Sequence, residues 1–333
     1  MQKSNLLHQV QCRSQIFCIR FNAEVKSFCI RFIGKGDFMH ALFKDKKTIF
    51  LLVFPGLLVF LYAVFLPIVL SGYFGMTEWS GIGKPVFIGL ENFKNLIFND
   101  STFITSLRNS LVLGLALICI QHPLCLGAAI MIDKIGGKLE KVFRAIFFIP
   151  CVISVIVTSK MWVQIYDSQY GLLNKILDMF HLGFLKQEWL ANPKLVLGSL
   201  FVIIMWQGFG WGMLIYYAGI KGISEDVYEA AQIDGAGAAQ VFKSITFPLL
   251  KPVIKINITL AMISAFKQME VIYLTTNGGP GNASQFIANY LYIKAFNSYQ
   301  YGYGNAISIL FVIVCIFVTI ILNKIIKKDV IEY

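Results

Sequence analysis

The residue types able to hold a metal or attack a substrate are scattered along this chain. Seven cysteines stand at 12, 18, 29, 119, 125, 151 and 315, and none pairs with a histidine at a metal-ligand spacing. The histidines, His8, His40, His122 and His181, are equally dispersed. Clustered carboxylates, histidine pairs and an activated serine are all missing, so no catalytic residue, metal or cofactor is assigned to the chain. The phosphate-cradling pattern GxxxxGK[ST] does not occur, and the run GGPGNAS at 278–284 lacks the lysine that would meet phosphates. Gly278, Gly279, Pro280 and Gly281 read instead as a tight turn.

One constellation remains, GISEDVYEAAQIDGAGAAQVFKSITFPLLKP, inside the loop 221–250 and its edges. Ser224 suits an N-cap, Glu225 and Asp226 suit the positive first turn, and Gly235 supplies a stop, which predicts a helix of about ten residues. A second helix is expected to carry Phe242, Ile245 and Leu249 on one face, with Pro248 and Pro252 marking the turn into the next element. Small residues at Ala230, Ala231 and Ala236 allow close approach of another surface, while Glu229 and Asp234 offer charges to pair with it. On these residues alone, a docking element and a simple helical connector fit equally well.

The elements that hold this loop are set by composition. Of 333 residues 57% are hydrophobic and 14% charged, with a mean hydropathy of +0.68, too apolar for an ordinary soluble domain. Charge-free runs at 49–70, 109–132, 195–220 and 295–323 each reach the roughly 20 residues a helix needs to cross a bilayer. Two interrupted runs, 145–165 (broken at Lys160) and 256–266, bring the count to six. Continuous rather than alternating hydrophobicity selects helices over a barrel, giving an all-α integral membrane protein. Segment 48–328 is read as the membrane domain, between a basic head at 1–47 and a tail at 329–333. Residues 1–38 lack a signal-peptide core; a start at Met39 and an amphipathic surface head are both consistent with that segment.

Net charge is +11, yet it follows the loops. The head, the loop with Lys134, Lys138, Lys141 and Arg144, and the tail with Lys324, Lys327 and Lys328 are all basic, whereas 275–304 carries only Lys294. Both termini and loop 221–250 are therefore expected in the cytosol, and no nucleic-acid face with interleaved aromatics is found. Lys267 and Glu270, one turn apart in the fifth span, can pair; a role lining the pathway and a structural pair near the interface are equally open. Trp162, Trp206, Trp211, Tyr216 and Tyr217, with Gln164 and Gln207, suit sugar faces and hydroxyls, though aromatics near span ends usually anchor the interface. His122 beside Pro123 is either a pathway residue or a buried hydrogen-bonded histidine at a kink.

The run Glu229, Ala230, Ala231, then Asp234, Gly235, Ala236, then Phe242, Ile245, Pro248 and Pro252 resembles the EAA signature of ABC importer permeases, in the version of the carbohydrate-uptake permeases related to the maltose system. GLENFKNL at 89–96, RAIFFIP at 144–150, GLLN at 171–174, WLANP at 189–193 and TNGGP at 276–280 resemble the same family. Ser224 departs from the proline usual there. The resemblance implies six transmembrane helices of type I importer architecture with a cytoplasmic coupling helix. It also implies a second permease subunit, two ATP-binding subunits that use ATP and Mg, and an extracellular solute-binding protein, in a bacterial plasma membrane. It favours a sugar over amino acids, phosphate or metals. The prolines at 55, 67, 123 and 150 keep a secondary transporter as the alternative of a different class.

Overall fold

The computed structural model describes residues 46–325. The head before Lys46, the Met39 question and the tail 329–333 lie outside the described residues. The chain divides at Val69/Leu70 into two units. In the first, α1 (Lys46–Phe60) and a π turn (Leu61–Phe65) are apolar on every side and exposed along most of their length, as expected of a helix whose solvent is lipid.

The second unit opens with the rest of the first span, α2 (Leu66–Gly75), most of whose residues belong to it. A short antiparallel ribbon follows, β1 (Thr77–Glu78) against β2 (Val86–Phe87), pairing Thr77 with Phe87. The small helix α3 (Glu91–Lys94) is held by buried Asn92, whose amide donates to the carbonyls of Gly75 and Thr77 at 3.0 Å each. The second span runs from α4 (Ser101–Ala116) through a π turn (Leu117–Gln121) into α5 (His122–Ile135). The fourth is α9 (Val196–Lys221), and the sixth is α15 (Tyr301–Ile325). Among the described residues five helices are long and apolar enough to cross a membrane, and a sixth crossing is made if a bent pair acts as one span.

That pair is α6 (Gly137–Val152) and α7 (Val155–Ile165), meeting at 93°. The interruption therefore falls at Ile153–Ser154, not at Lys160 as the charge pattern suggests. Gln207 of α9 explains how the break is tolerated in an apolar setting. Its amide donates to the freed carbonyl of Ile153 at 3.1 Å, while the Cys151 thiol donates to the Gln207 carbonyl at 2.9 Å.

After α8 (Leu172–Met179), α9, α10 (Glu225–Ile233) and α11 (Ala238–Val241), a π turn (Phe242–Thr246) leads into α12 (Phe247–Lys267) and then α13 (Glu270–Thr275). Pro248 and Pro252 thus do not mark a turn: the helix passes through both. In each of three spans a π turn lies directly before a proline, Pro67, Pro123 or Pro248. The turn's central residue is the one whose carbonyl the proline, lacking N–H, cannot bond, and the wider turn keeps that carbonyl clear of the ring. Buried side chains form three clusters. One of them, with Cys125, Ile132, Met213, Tyr216 and Leu250, joins the second, fourth and fifth spans beside the loop 221–250.

Candidate functional site: the coupling loop and the clasp opposite

The loop folds as its residue types predict. α10 occupies Glu225–Ile233, with Ser224 at the N-cap and Asp234 at the C-cap. Ser224 makes no capping bond, however; its hydroxyl donates to Asp226 Oδ2 at 3.3 Å. At the other end Gly235 takes φ +72. Its N–H donates to the Gln232 carbonyl at 3.0 Å and the Ala236 N–H reaches back to Ala231 at 2.9 Å, a Schellman closure that requires the left-handed residue at Gly235. One side-chain bond, Tyr228 Oη with Thr246 Oγ1 at 3.3 Å, ties α10 to the start of the fifth span.

Most of the loop is left open. Glu229, Ala230, Asp234 and Gly235 are exposed, Ala236 is half-buried, and Ala231 alone of the six is buried. A groove of about 530 Å³ lies between α10 and the following helix, with Asp226, Ala230, Asp234 and Ser244 on its walls. Val227 adds apolar surface to the groove, and Ile233, which does not line it, is 87% exposed. Sequence reasoning missed Ile233, because an isolated isoleucine in an amphipathic helix reads as core. Its place in the last turn, next to the predicted stop at Gly235, was the available signal.

Opposite in character is the segment 276–289. Asn109 of α4, fully buried, donates its amide to the carbonyls of both Ala283 and Gln285 at 2.9 Å. Ser284 Oγ meets Thr276 Oγ1 at 2.8 Å and the Gly279 carbonyl at 2.5 Å, and Asn289 donates to Gln285 Oε1. The predicted turn is present, with left-handed Asn277, Gly278, Gly281 and Asn282 and a cis Gly279–Pro280 bond. At the edge of this clasp Asp100 caps α4 through the Phe103 N–H. It also accepts the hydroxyls of Tyr290, in α14 (Ile287–Tyr292), and Tyr303 at 2.5 and 2.6 Å. Burial pushes the Asp100 carboxyl up, but the two hydroxyls, the N–H and the Lys294 charge outweigh it and hold it below the usual carboxylate range.

The proposed pathway residues do not assemble as a unit. Lys267 and Glu270 make no ion pair with each other, unlike Glu140–Arg144, Asp178–Lys186 and Asp133–Lys221. The physical reason is a break: Gln268 is extended at ψ 115 and Met269 sits at φ −134, so the two charges do not share a helical face. Lys267 is exposed beside an apolar groove of about 350 Å³ against Phe311 and Cys315 of α15, and Glu270 is exposed. Trp206 packs edge-on against Trp162 at 5.7 Å, and Trp211 is 61% exposed. Gln207 has its amide committed to the bend in the third span. His122 is buried, its Nδ1 3.1 Å from the Tyr216 hydroxyl, which is the structural alternative of the two.

Five or six helices long and apolar enough to cross a bilayer, among the described residues, are the architecture of a polytopic membrane protein. The chain belongs to the family described as binding-protein-dependent transport system inner membrane component, whose model matches residues 123–332. It is therefore a permease subunit of an ABC importer, a multi-pass membrane protein and not an enzyme. It is 34% identical over 278 residues to a probable ABC transporter permease of Pyrococcus horikoshii, covering 83% of this chain and 94% of that protein. To the trehalose/maltose transport system permease of Thermococcus litoralis it is 33% identical over 297 residues, covering 85% and 95%. Its fold is similar to that of a permease in a bacterial alginate ABC transporter complexed with its pentasaccharide-bound periplasmic protein. There the TM-score is 0.73 at 22% identity, over 84% of this chain and 94% of that one.

Proposed function

We propose that this chain imports a sugar or sugar-like solute, and that α10 is the coupling helix that receives the stroke of an ATP-hydrolysing subunit. The observation that carries the coupling reading is the helix itself. A nine-residue α10, closed by a Schellman turn at Gly235, leaves Glu229, Ala230, Ile233 and Asp234 exposed. An exposed helix tied to the start of the fifth span through Tyr228–Thr246 is suited to transmit displacement as a body. Sugar is favoured because the Thermococcus litoralis relative is named as a permease of a trehalose/maltose transport system.

In this reading loop 221–250 and both termini face the cytosol, ATP and Mg are used by two partner subunits, a second permease completes the pathway, and an extracellular binding protein delivers the solute. Trp206, Trp211, Lys267 and Glu270 border the route, and Gln207 fixes the bend beside it. The test is uptake of labelled oligosaccharides and of amino acids into vesicles holding the reconstituted complex, with ATP inside or absent. Carbohydrate uptake that requires ATP and the binding protein is expected. Uptake without ATP would turn the reading toward a secondary transporter, and ATP-driven uptake confined to amino acids would remove the sugar assignment.

A further inference from the structure

The segment 166–194, between the third and fourth spans, takes no part in the function described so far. Its helix α8 presents three faces. Leu173, Asn174 and Leu177 turn inward, where the Asn174 amide donates to the carbonyls of Ser168 and Gln187 at 3.0 and 3.1 Å. Lys175 and Asp178 form an exposed charged face, Asp178 paired with Lys186. Leu172, Ile176 and Met179, spaced four and three apart, form an exposed apolar stripe that Phe180 and Phe184 prolong, at 65% and 77% exposure. Such a stripe beside a charged face is the pattern of a helix lying in a membrane surface.

The stripe runs into a cavity of about 480 Å³ walled by Leu172, Ile176, Trp162, Tyr166, Trp189 and Val202. The polar tips of two of these aromatics are already spent inside the protein. Tyr166 Oη donates to the Ser199 carbonyl at 3.3 Å, and Trp189 Nε1 donates to Asn174 Oδ1 at 2.9 Å. The hydroxyl of Ser199, which also borders the cavity, donates to the carbonyl of Trp189 at 2.9 Å. Trp162, whose Nε1 is buried without a partner, leaves one donor at the wall; the cavity otherwise offers ring faces and aliphatic surface, which favours a hydrocarbon chain over a sugar. Val202, half exposed and almost two turns into the fourth span, continues the same surface onto the bilayer-crossing part of the chain.

We propose that α8 lies in the headgroup layer of the outer leaflet and that this cavity holds one acyl chain of a phospholipid, with Lys175 beside its phosphate. The assignment to the outer leaflet rests on the orientation proposed above; the contact with lipid does not. The test uses the reconstituted complex in which native cysteines are replaced by serine and transport is retained. Single cysteines at Met179 (M179C) and Asp178 (D178C) carry an environment-sensitive fluorophore. Quenching of the M179C label by phospholipid brominated near the headgroup, with protection from aqueous iodide, is expected, and the reverse for D178C. Iodide quenching at M179C would overturn the proposal, and so would protection from both quenchers, which would mean that a protein partner covers the stripe. Reaction of D178C with an impermeant thiol reagent from the inside alone would overturn the leaflet while leaving the lipid contact measured. For the cavity, a Cβ at Gly198 meets open space, so Gly198→Leu should fill it. Native mass spectrometry of the complex should then lose one retained phospholipid per chain, and an unchanged lipid count would remove the acyl-chain site.

Discussion

The clasp at 276–289 and the coupling loop at 221–250 are built from similar residues, rich in glycine, alanine and polar side chains, yet they stand at opposite extremes of internal satisfaction. In the clasp Ser284, Gln285, Phe286, Ile287 and Asn289 are buried, and Asn109 reaches across 174 residues of sequence to hold its backbone. In the coupling loop only Ala231, Thr246 and Leu250 are buried, and Glu229 and Asp234 are exposed. Polar groups satisfied within the chain make a fixed part, whereas groups left open to solvent mark a surface that another molecule must complete. The difference predicts a double dissociation: damage to the clasp should be read in stability, and damage to the coupling loop in function at unchanged stability.

The largest effect is expected from Gly235→Pro and Glu229→Lys. Proline cannot take the positive φ at Gly235, and the lysine reverses a charge whose contact is worth about 1.5–3 kcal/mol if desolvated in a partner's groove. Both variants should insert and pair normally while ATP hydrolysis loses its response to loaded binding protein. Wild-type stimulation in both would erase the contrast between the two regions. Next comes Asn109→Leu, which strands two buried carbonyls at about 1–3 kcal/mol each. The melting temperature of the detergent-solubilised complex should fall by several degrees, and an unchanged value would show that the clasp is held by other means.

A smaller effect concerns acidity. Because Asp100 is held below its ordinary value, its stabilising contribution is present above the unfolded carboxylate range and is lost as pH falls through the lower folded value. Thermal stability should therefore decline below about pH 4, and Asp100→Asn should flatten that decline while keeping a competent cap. An identical acid profile in the variant would separate Asp100 from the clasp. Smallest is Gly235→Ala, where nothing obstructs the added methyl but the left-handed backbone costs about 1 kcal/mol. Partial loss of stimulated ATP hydrolysis is expected, and Gly237→Ala, at φ −69, should leave it intact.

Part of this was legible in the residues alone. Helix α10 was readable to within one residue at each end, because its start and stop depend on local chemistry: acidic residues at the first turn and a glycine after the last. Span positions were readable because lipid demands continuous apolar runs. The third span was misplaced at its break, since Lys160 is a local signal whereas the actual bend at Ile153–Ser154 depends on Gln207, 54 residues away. Lys267 and Glu270 looked like neighbours on one helix, and the break at Gln268–Met269 separates them.

The sequence by itself determined which long apolar runs form helices and the conformation of Gly235, because each follows from contacts within a few residues or with the solvent. Only the tertiary structure decided how prolines would act. Pro248 reads as a turn, but like Pro67 and Pro123 it lies just past a π turn that shifts the orphaned carbonyl aside and lets the span continue. Whether a freed carbonyl ends a helix or is absorbed is settled by what packs beside it, such as the Gln207 amide at Ile153 or the Asn109 amide at Ala283. Those partners arrive from distant parts of the chain, and no local pattern encodes them.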